Sequence, residues 1–143
     1  MRRVSYNTIR IFAAAGLLAA GLAPAAQAAH SCSKATLKGS YGSVLTGTVI
    51  GVGPFATVAV VTFEGNGVWS YTESGNFNGN PIPHQTFVGT YSVASNCSGS
   101  ASDSAGNTLD FVIVGGGKKV LMVGTGHGAV FTVDMKKISG SDD

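Results

Sequence analysis

The chain has 143 residues, with 9 Lys and Arg against 7 Asp and Glu; only 11% of it is charged, while 44% is apolar. Arg2, Arg3 and Arg10 account for a third of the basic residues, so from Ala29 onward six basic residues face seven acidic ones. A surface that close to neutral lacks the clustered Lys and Arg that hold phosphate backbones, and no nucleic-acid partner is expected.

Residues 1–28 read as a secretory signal peptide. The three arginines form a positive head, Ile11 to Leu22 form an apolar run, and Pro24 with Ala26-Gln27-Ala28 supplies a small-residue cleavage site. The run is shorter than the ~20 apolar residues a spanning helix needs, so no membrane span is expected after cleavage. Residues 29–143 are then one domain, secreted or periplasmic, rich in Gly, Ser, Thr and Val. Cys32 and Cys97 are the only cysteines, and an even count in an oxidising compartment predicts a disulfide between them.

No window after residue 30 shows a helical period. Short β-favouring runs alternate with Gly, Asn, Pro and Ser punctuation instead. The first strand is expected over 39–50, where Tyr41, Ser43 and Leu45 alternate with Gly42, Val44 and Thr46. Gly51-Val52-Gly53-Pro54 ends it, and a second strand follows over 55–63. Glu64-Gly65-Asn66-Gly67 reads as a tight turn, since Asn-Gly accepts the positive φ that hairpins demand. A third strand spans 68–77, Asn78 to Pro83 reads as a longer loop, and a fourth strand spans 85–93. A short polar strand over 99–104 precedes the turn Ala105-Gly106-Asn107. The apolar strand 108–114, the turn Gly115-Gly116-Gly117, a strand over 119–125, the turn Gly126-His127-Gly128 and a last strand over 129–138 complete the series.

Eight strands joined by short connections make an antiparallel meander. The predicted fold is all-β, an eight-stranded antiparallel up-and-down β-barrel, with a two-sheet β-sandwich as the alternative. Uniformly short connections favour the barrel, because a sandwich usually needs a long crossover. A transmembrane barrel would need an aromatic girdle, and aromatics are few.

An ordered set of segments carries a resemblance. Ala35-Thr36-Leu37-Lys38-Gly39-Ser40-Tyr41-Gly42, then Val61-Thr62-Phe63-Glu64-Gly65-Asn66-Gly67, then Gly89-Thr90-Tyr91-Ser92-Val93 with Cys97-Ser98-Gly99, then Asp110-Phe111-Val112-Ile113-Val114 resemble a group of small secreted bacterial proteins of unassigned function. The resemblance spans nearly all of residues 29–143. It implies a β-barrel similar to calycin-like or allene-oxide-cyclase-like barrels, and it brings no catalytic residues. The chain departs from the group at Gly126-His127-Gly128, where an acidic turn would be expected.

In a barrel every second residue faces the lumen. Leu109, Phe111 and Ile113 share one face of their strand, Phe131, Val133 and Met135 share another, and Trp69, Tyr71 and Glu73 a third. These nine are the candidate lumen residues, and a small lipophilic molecule is the candidate partner. Gly67-Val68-Trp69 matches a bare G-x-W, which a turn glycine before a β-favouring aromatic explains. Gly42, Gly47, Gly89 and Gly124 could leave room for a guest or relieve strain where strands bend. Among the titratable residues Glu64, Glu73, Asp103, Asp110, Asp134, His84 and His127, Glu73 and Asp110 lie within strands, and either is a candidate for acid–base work if it faces the lumen. No residue is singled out as catalytic, and neither a metal nor a cofactor is expected. The leading functional expectation is a non-enzymatic secreted barrel that binds a small apolar ligand or a partner surface. The alternatives are a barrel cyclase or isomerase acting on a lipophilic substrate and a surface-interaction module with a filled core. The two-faced apolar character of the second, sixth and seventh strands suggests an exposed apolar patch and adds the expectation of a homodimer.

Overall fold

A computed structural model describes residues 31–138. The predicted signal peptide and the tail after Ile138 lie outside the described residues. Eight strands, β1 (Gly39–Val49), β2 (Gly53–Phe63), β3 (Val68–Phe77), β4 (Asn80–Val93), β5 (Ser98–Asp103), β6 (Thr108–Val114), β7 (Lys119–Gly124) and β8 (Ala129–Lys137), pair antiparallel in sequence order. β1 also pairs with β8, from Tyr41 opposite Lys137 to Val49 opposite Ala129, and closes the barrel. Closure gives every strand two neighbours, so the unpaired edge left is the first part of β4, beyond the reach of the short β5.

Alternation sets the inward face. On β6 Leu109, Phe111 and Ile113 are buried while Thr108, Asp110, Val112 and Val114 are exposed, and on β8 Phe131, Val133 and Met135 are buried while Val130, Thr132 and Asp134 are exposed. Outward valines therefore stay wet: Val44, Val58, Val60, Val112 and Val123 all lie on the outer surface. The same surface carries the ion pair between Lys119 and Asp134, 2.8 Å apart and half exposed.

The segment Asn78 to Pro83 is not a loop. Asn78 and Gly79 take φ of 48° and 88°, the left-handed pair of a two-residue hairpin, and β4 starts at Asn80. Pro81 and Pro83 would break an interior strand. They are tolerated because β5 is short: its pairing with β4 begins at Gly89, with Ser104 bonding Val88 just before it, so residues 80–87 lie along an edge with no ladder bond to make on that side. The register also slips between Glu73 and Gly75, where β4 contributes an extra residue around Pro83 and His84.

One end of the barrel is plugged. Lys34–Leu37 form a single 3-10 turn that lays Leu37, wholly buried, beneath the barrel. The Tyr91 hydroxyl donates to the Lys34 carbonyl at 2.9 Å, and the disulfide Cys32–Cys97 ties the segment to the β4–β5 turn. A second 3-10 turn, Gly115–Gly117, folds in beside it, and the Tyr41 hydroxyl donates to the Gly117 carbonyl at 2.6 Å. Gly117 has φ of 94°, and a methyl there would overlap the Thr36 carbonyl oxygen, so the two turns meet only because this residue is glycine. Above them Phe63 is the hub of an aromatic cluster: Tyr41 and Tyr91 stand edge-on to it at 5.5 and 5.0 Å, and Trp69 stacks on it at 5.8 Å. Such pairs add about 0.5–1.5 kcal/mol each beyond their buried area.

Candidate functional site

The opposite end is ringed by the turns 50–52, 78–79, 104–107 and 125–128, and none of the described residues plugs it. Here the lumen holds a cavity of about 240 Å³. Val61, Met122 and Met135 lie toward its floor, Leu45, Ala59, Leu109 and Val133 form its wall, and Phe55, Phe77 and Ile82 stand near its mouth. Phe55 packs against both Phe77 and Phe131 at 6.1 Å. Small Ala59 and Ala129 leave space that larger side chains would fill. Three of the four glycines do not: Phe131 occupies the space beside Gly47 and Gly124, and the Trp69 indole occupies that beside Gly89, while the open space beside Gly42 lies on the exposed outer face.

Seven of the nine candidate lumen residues line this cavity: Trp69, Tyr71, Glu73, Leu109, Phe131, Val133 and Met135. Phe111 and Ile113 also point inward, but they are buried in the plugged half and do not reach the cavity. Trp69 does not present its N–H to the lumen. Its Nε1 donates to the Ser102 carbonyl across β4 at 3.1 Å, passing over Gly89, whose missing side chain makes the crossing possible.

The polar groups of the cavity form two short chains. Thr57, buried, donates from Oγ1 to Glu73 Oε2 at 3.0 Å. Tyr71, stacked on Trp69 at 5.1 Å, donates from its hydroxyl to Asp103 Oδ2 at 2.7 Å. Asp103 is otherwise engaged with its own turn: Oδ1 accepts from the backbone N–H of Ala105 and Asn107 at 2.9 and 3.0 Å, and Oδ2 accepts from Asn107 Nδ2 at 2.9 Å. Burial pushes the Tyr71 hydroxyl well above the ordinary tyrosine value, helped by its bond to Asp103 and by the nearby charges of Asp103 and Glu73. It therefore stays a proton donor at any physiological pH. Ser43, the remaining buried hydroxyl, leans toward the Ala59 carbonyl at 3.4 Å.

Glu73 faces the lumen and Asp110 does not; Asp110 is exposed on the outer surface of β6. Glu64, His84 and His127 are exposed as well, and Asp134 is engaged with Lys119. Thr57, Asp103 and Asn107 are cavity residues that strand patterning did not single out. Thr57 could have been found from β2, where Phe55, Thr57 and Ala59 alternate with outward residues. Asp103 and Asn107 flank a surface turn, and no sequence pattern says that such a turn folds over a barrel mouth.

Among the described residues no group of three or more His, Cys, Asp and Glu is placed to hold a metal, no cysteine is free, and no helix is long and apolar enough to cross a membrane. Comparison with protein-family models, with curated proteins and with solved structures found no match.

Proposed function

We propose that this protein is a secreted barrel that binds one small, mainly apolar molecule in the open half of its lumen. The carrying observation is the cavity of about 240 Å³, walled by apolar and aromatic side chains and reached from one end only. Eight-stranded barrels have just enough interior to be filled by their own side chains or to hold one small ligand. An apolar cavity of ~150 Å³ accommodates benzene, so this one suits a guest of on the order of ten non-hydrogen atoms. The surface-interaction alternative needs a filled core, and the cavity favours a guest. The resemblance to small secreted bacterial barrels of calycin-like or allene-oxide-cyclase-like design supports the same reading, as do the predicted signal peptide and the disulfide, which suits an extracellular or periplasmic setting. The outer valines still propose a homodimer, which light scattering on the purified protein would test.

A second reading keeps one specific observation in its favour. Tyr71 with Asp103, and Glu73 with Thr57, are proton-bearing pairs facing one apolar cavity, which is what a cyclase or isomerase of a lipophilic substrate would require. Turnover lost with binding kept in Glu73→Gln would favour the enzyme.

Native mass spectrometry of the disulfide-bonded protein from its own secretory compartment tests the main reading. An adduct that leaves on mild denaturation, and that Ala59→Leu abolishes, is the expected outcome. A bare protein that gains no mass from a panel of small lipophilic compounds would overturn it.

A further inference from the structure

We propose that the cavity selects lipophilic molecules with a cationic, hydrogen-bond-donating end, such as a protonated amine, and rejects lipophilic carboxylates. This rests on the ligand-binding reading above and adds to it the chemical class of the guest. Two observations carry it. The first is charge: among the described residues Glu73 and Asp103 are the charged members of the lining, and no Lys, Arg or His joins them. A carboxylate guest would bring a third negative charge into a confined apolar space with no cation to meet it.

The second is the donor and acceptor inventory. The Tyr71 proton is committed to Asp103, the Thr57 proton to Glu73, the Ser43 proton to the Ala59 carbonyl and the Trp69 N–H to the Ser102 carbonyl. The side-chain amide of Asn107 holds Asp103 from an exposed turn, with one N–H used. The lining therefore has almost nothing to donate to an anion. Acceptors are different. Asp103 takes four hydrogen bonds and is full, whereas Glu73 takes one, on Oε2, and its Oε1 accepts none from any described residue. Glu73 Oε1 is thus the open charged acceptor among the described lining residues, carried on a strand face beside Tyr71 and Trp69. Aromatic faces attract a cation and leave an anion unaided, and Phe55 and Phe77 present two more near the mouth.

A matched set of three probes of suitable size tests this in the intact, disulfide-bonded protein at neutral pH: 2-phenylethylamine, 2-phenylethanol and phenylacetate, titrated by isothermal calorimetry and by NMR shifts. The amine should bind tightest, ahead of the alcohol by roughly tenfold to a hundredfold, the range for a hydrogen bond to a charged group. Phenylacetate should bind weakest. In Glu73→Gln, which keeps an acceptor for Thr57, the gap between amine and alcohol should shrink to a few-fold while the alcohol keeps its affinity. The ranking in the unaltered protein decides the matter even if that variant folds poorly. An alcohol that binds as well as the amine, or a carboxylate that binds best, would overturn the charge selection and leave the ligand-binding reading standing. Failure of all three to bind, with no NMR shift at cavity residues, would overturn both.

Discussion

The two halves of this barrel are built from the same strands with the same alternation, yet one is packed solid and the other is hollow. The plugged half is filled by large side chains, Tyr41, Phe63, Tyr91 and Phe111, and sealed by Leu37 from a segment outside the barrel. The open half sets Ala59, Thr57 and Ala129 at lumen positions and has turns at its rim, with no covering segment among the described residues. The comparison teaches that closure of the sheet does not decide what a lumen contains. Side-chain volume at a few inward positions, and whether a terminal segment is tied across the end, decide it. Stability should therefore be concentrated at one end and binding at the other, and each expectation below is a way to break that division.

The largest effect belongs to the seal. Replacing both Cys32 and Cys97 with Ser opens a link across 65 residues and should cost about 4 kcal/mol, read from urea midpoints of the oxidised wild type and the variant. Leu37→Ala should cost about 3 kcal/mol, since it leaves a void under a fully buried position. Both variants should bind a cavity ligand with little change in affinity under conditions where they stay folded. A large loss of affinity in folded Leu37→Ala would show that the two ends are coupled.

Alkaline pH loads both ends, since Tyr71 of the open half is raised as well as Tyr41 and Tyr91 of the plugged one, and the plugged share is isolated by mutation. Burial, with a smaller contribution from the charge of Tyr91, pushes the Tyr41 hydroxyl up to about 12, and burial raises Tyr91 as well. Between the unfolded value near 10 and the folded value the native state holds more protons than the unfolded one. Stability is thus fully present below about pH 10 and falls as pH rises through the folded value. Tyr41 alone should account for a loss on the order of 2 kcal/mol by pH 12, followed by urea melts alongside tyrosinate absorbance. Tyr41→Phe should flatten that part of the profile. An unchanged profile would mean that the loss comes from elsewhere.

The smallest stability effects should come from the open half. Ala59→Leu fills existing space and should shift stability by less than about 1.5 kcal/mol while removing ligand binding, measured by melts and by adduct mass. Glu73→Gln exchanges a charged acceptor of the Thr57 hydroxyl for a neutral one and should cost about 1 kcal/mol or less, the difference between the two kinds of hydrogen bond. A severe loss from either change would mean that the hollow half is as much a part of the core as the plugged one.

Much of the fold was legible before any coordinates. Trp69, Tyr71 and Glu73 share a face because strand side chains alternate, and that is a local rule needing no knowledge of the partner strands. Strand limits were legible wherever glycine or asparagine punctuated them, and they failed at Pro81 and Pro83. Two prolines normally mean loop, and only the shortness of the neighbouring β5 makes them acceptable in a strand. The candidate site was legible in part for the same reason. Phe111 and Leu109 look alike on one strand face, but one lies in the packed half and the other lines the cavity, because depth along the barrel axis depends on how eight strands are staggered.

Chain-local physics thus settles the all-β class, the strand count, the inward face and the pairing of the only two cysteines, because alternation, turn chemistry and the oxidation of two thiols depend on nearby residues or on composition. Barrel closure, the plug made by Lys34–Leu37, the turn that brings Asp103 and Asn107 over the mouth, and the unequal hydrogen bonding of Glu73 and Asp103 arise only in three dimensions. Each of them joins residues distant in sequence, and which of those residues meet is set by the register of the whole sheet rather than by any one of its strands.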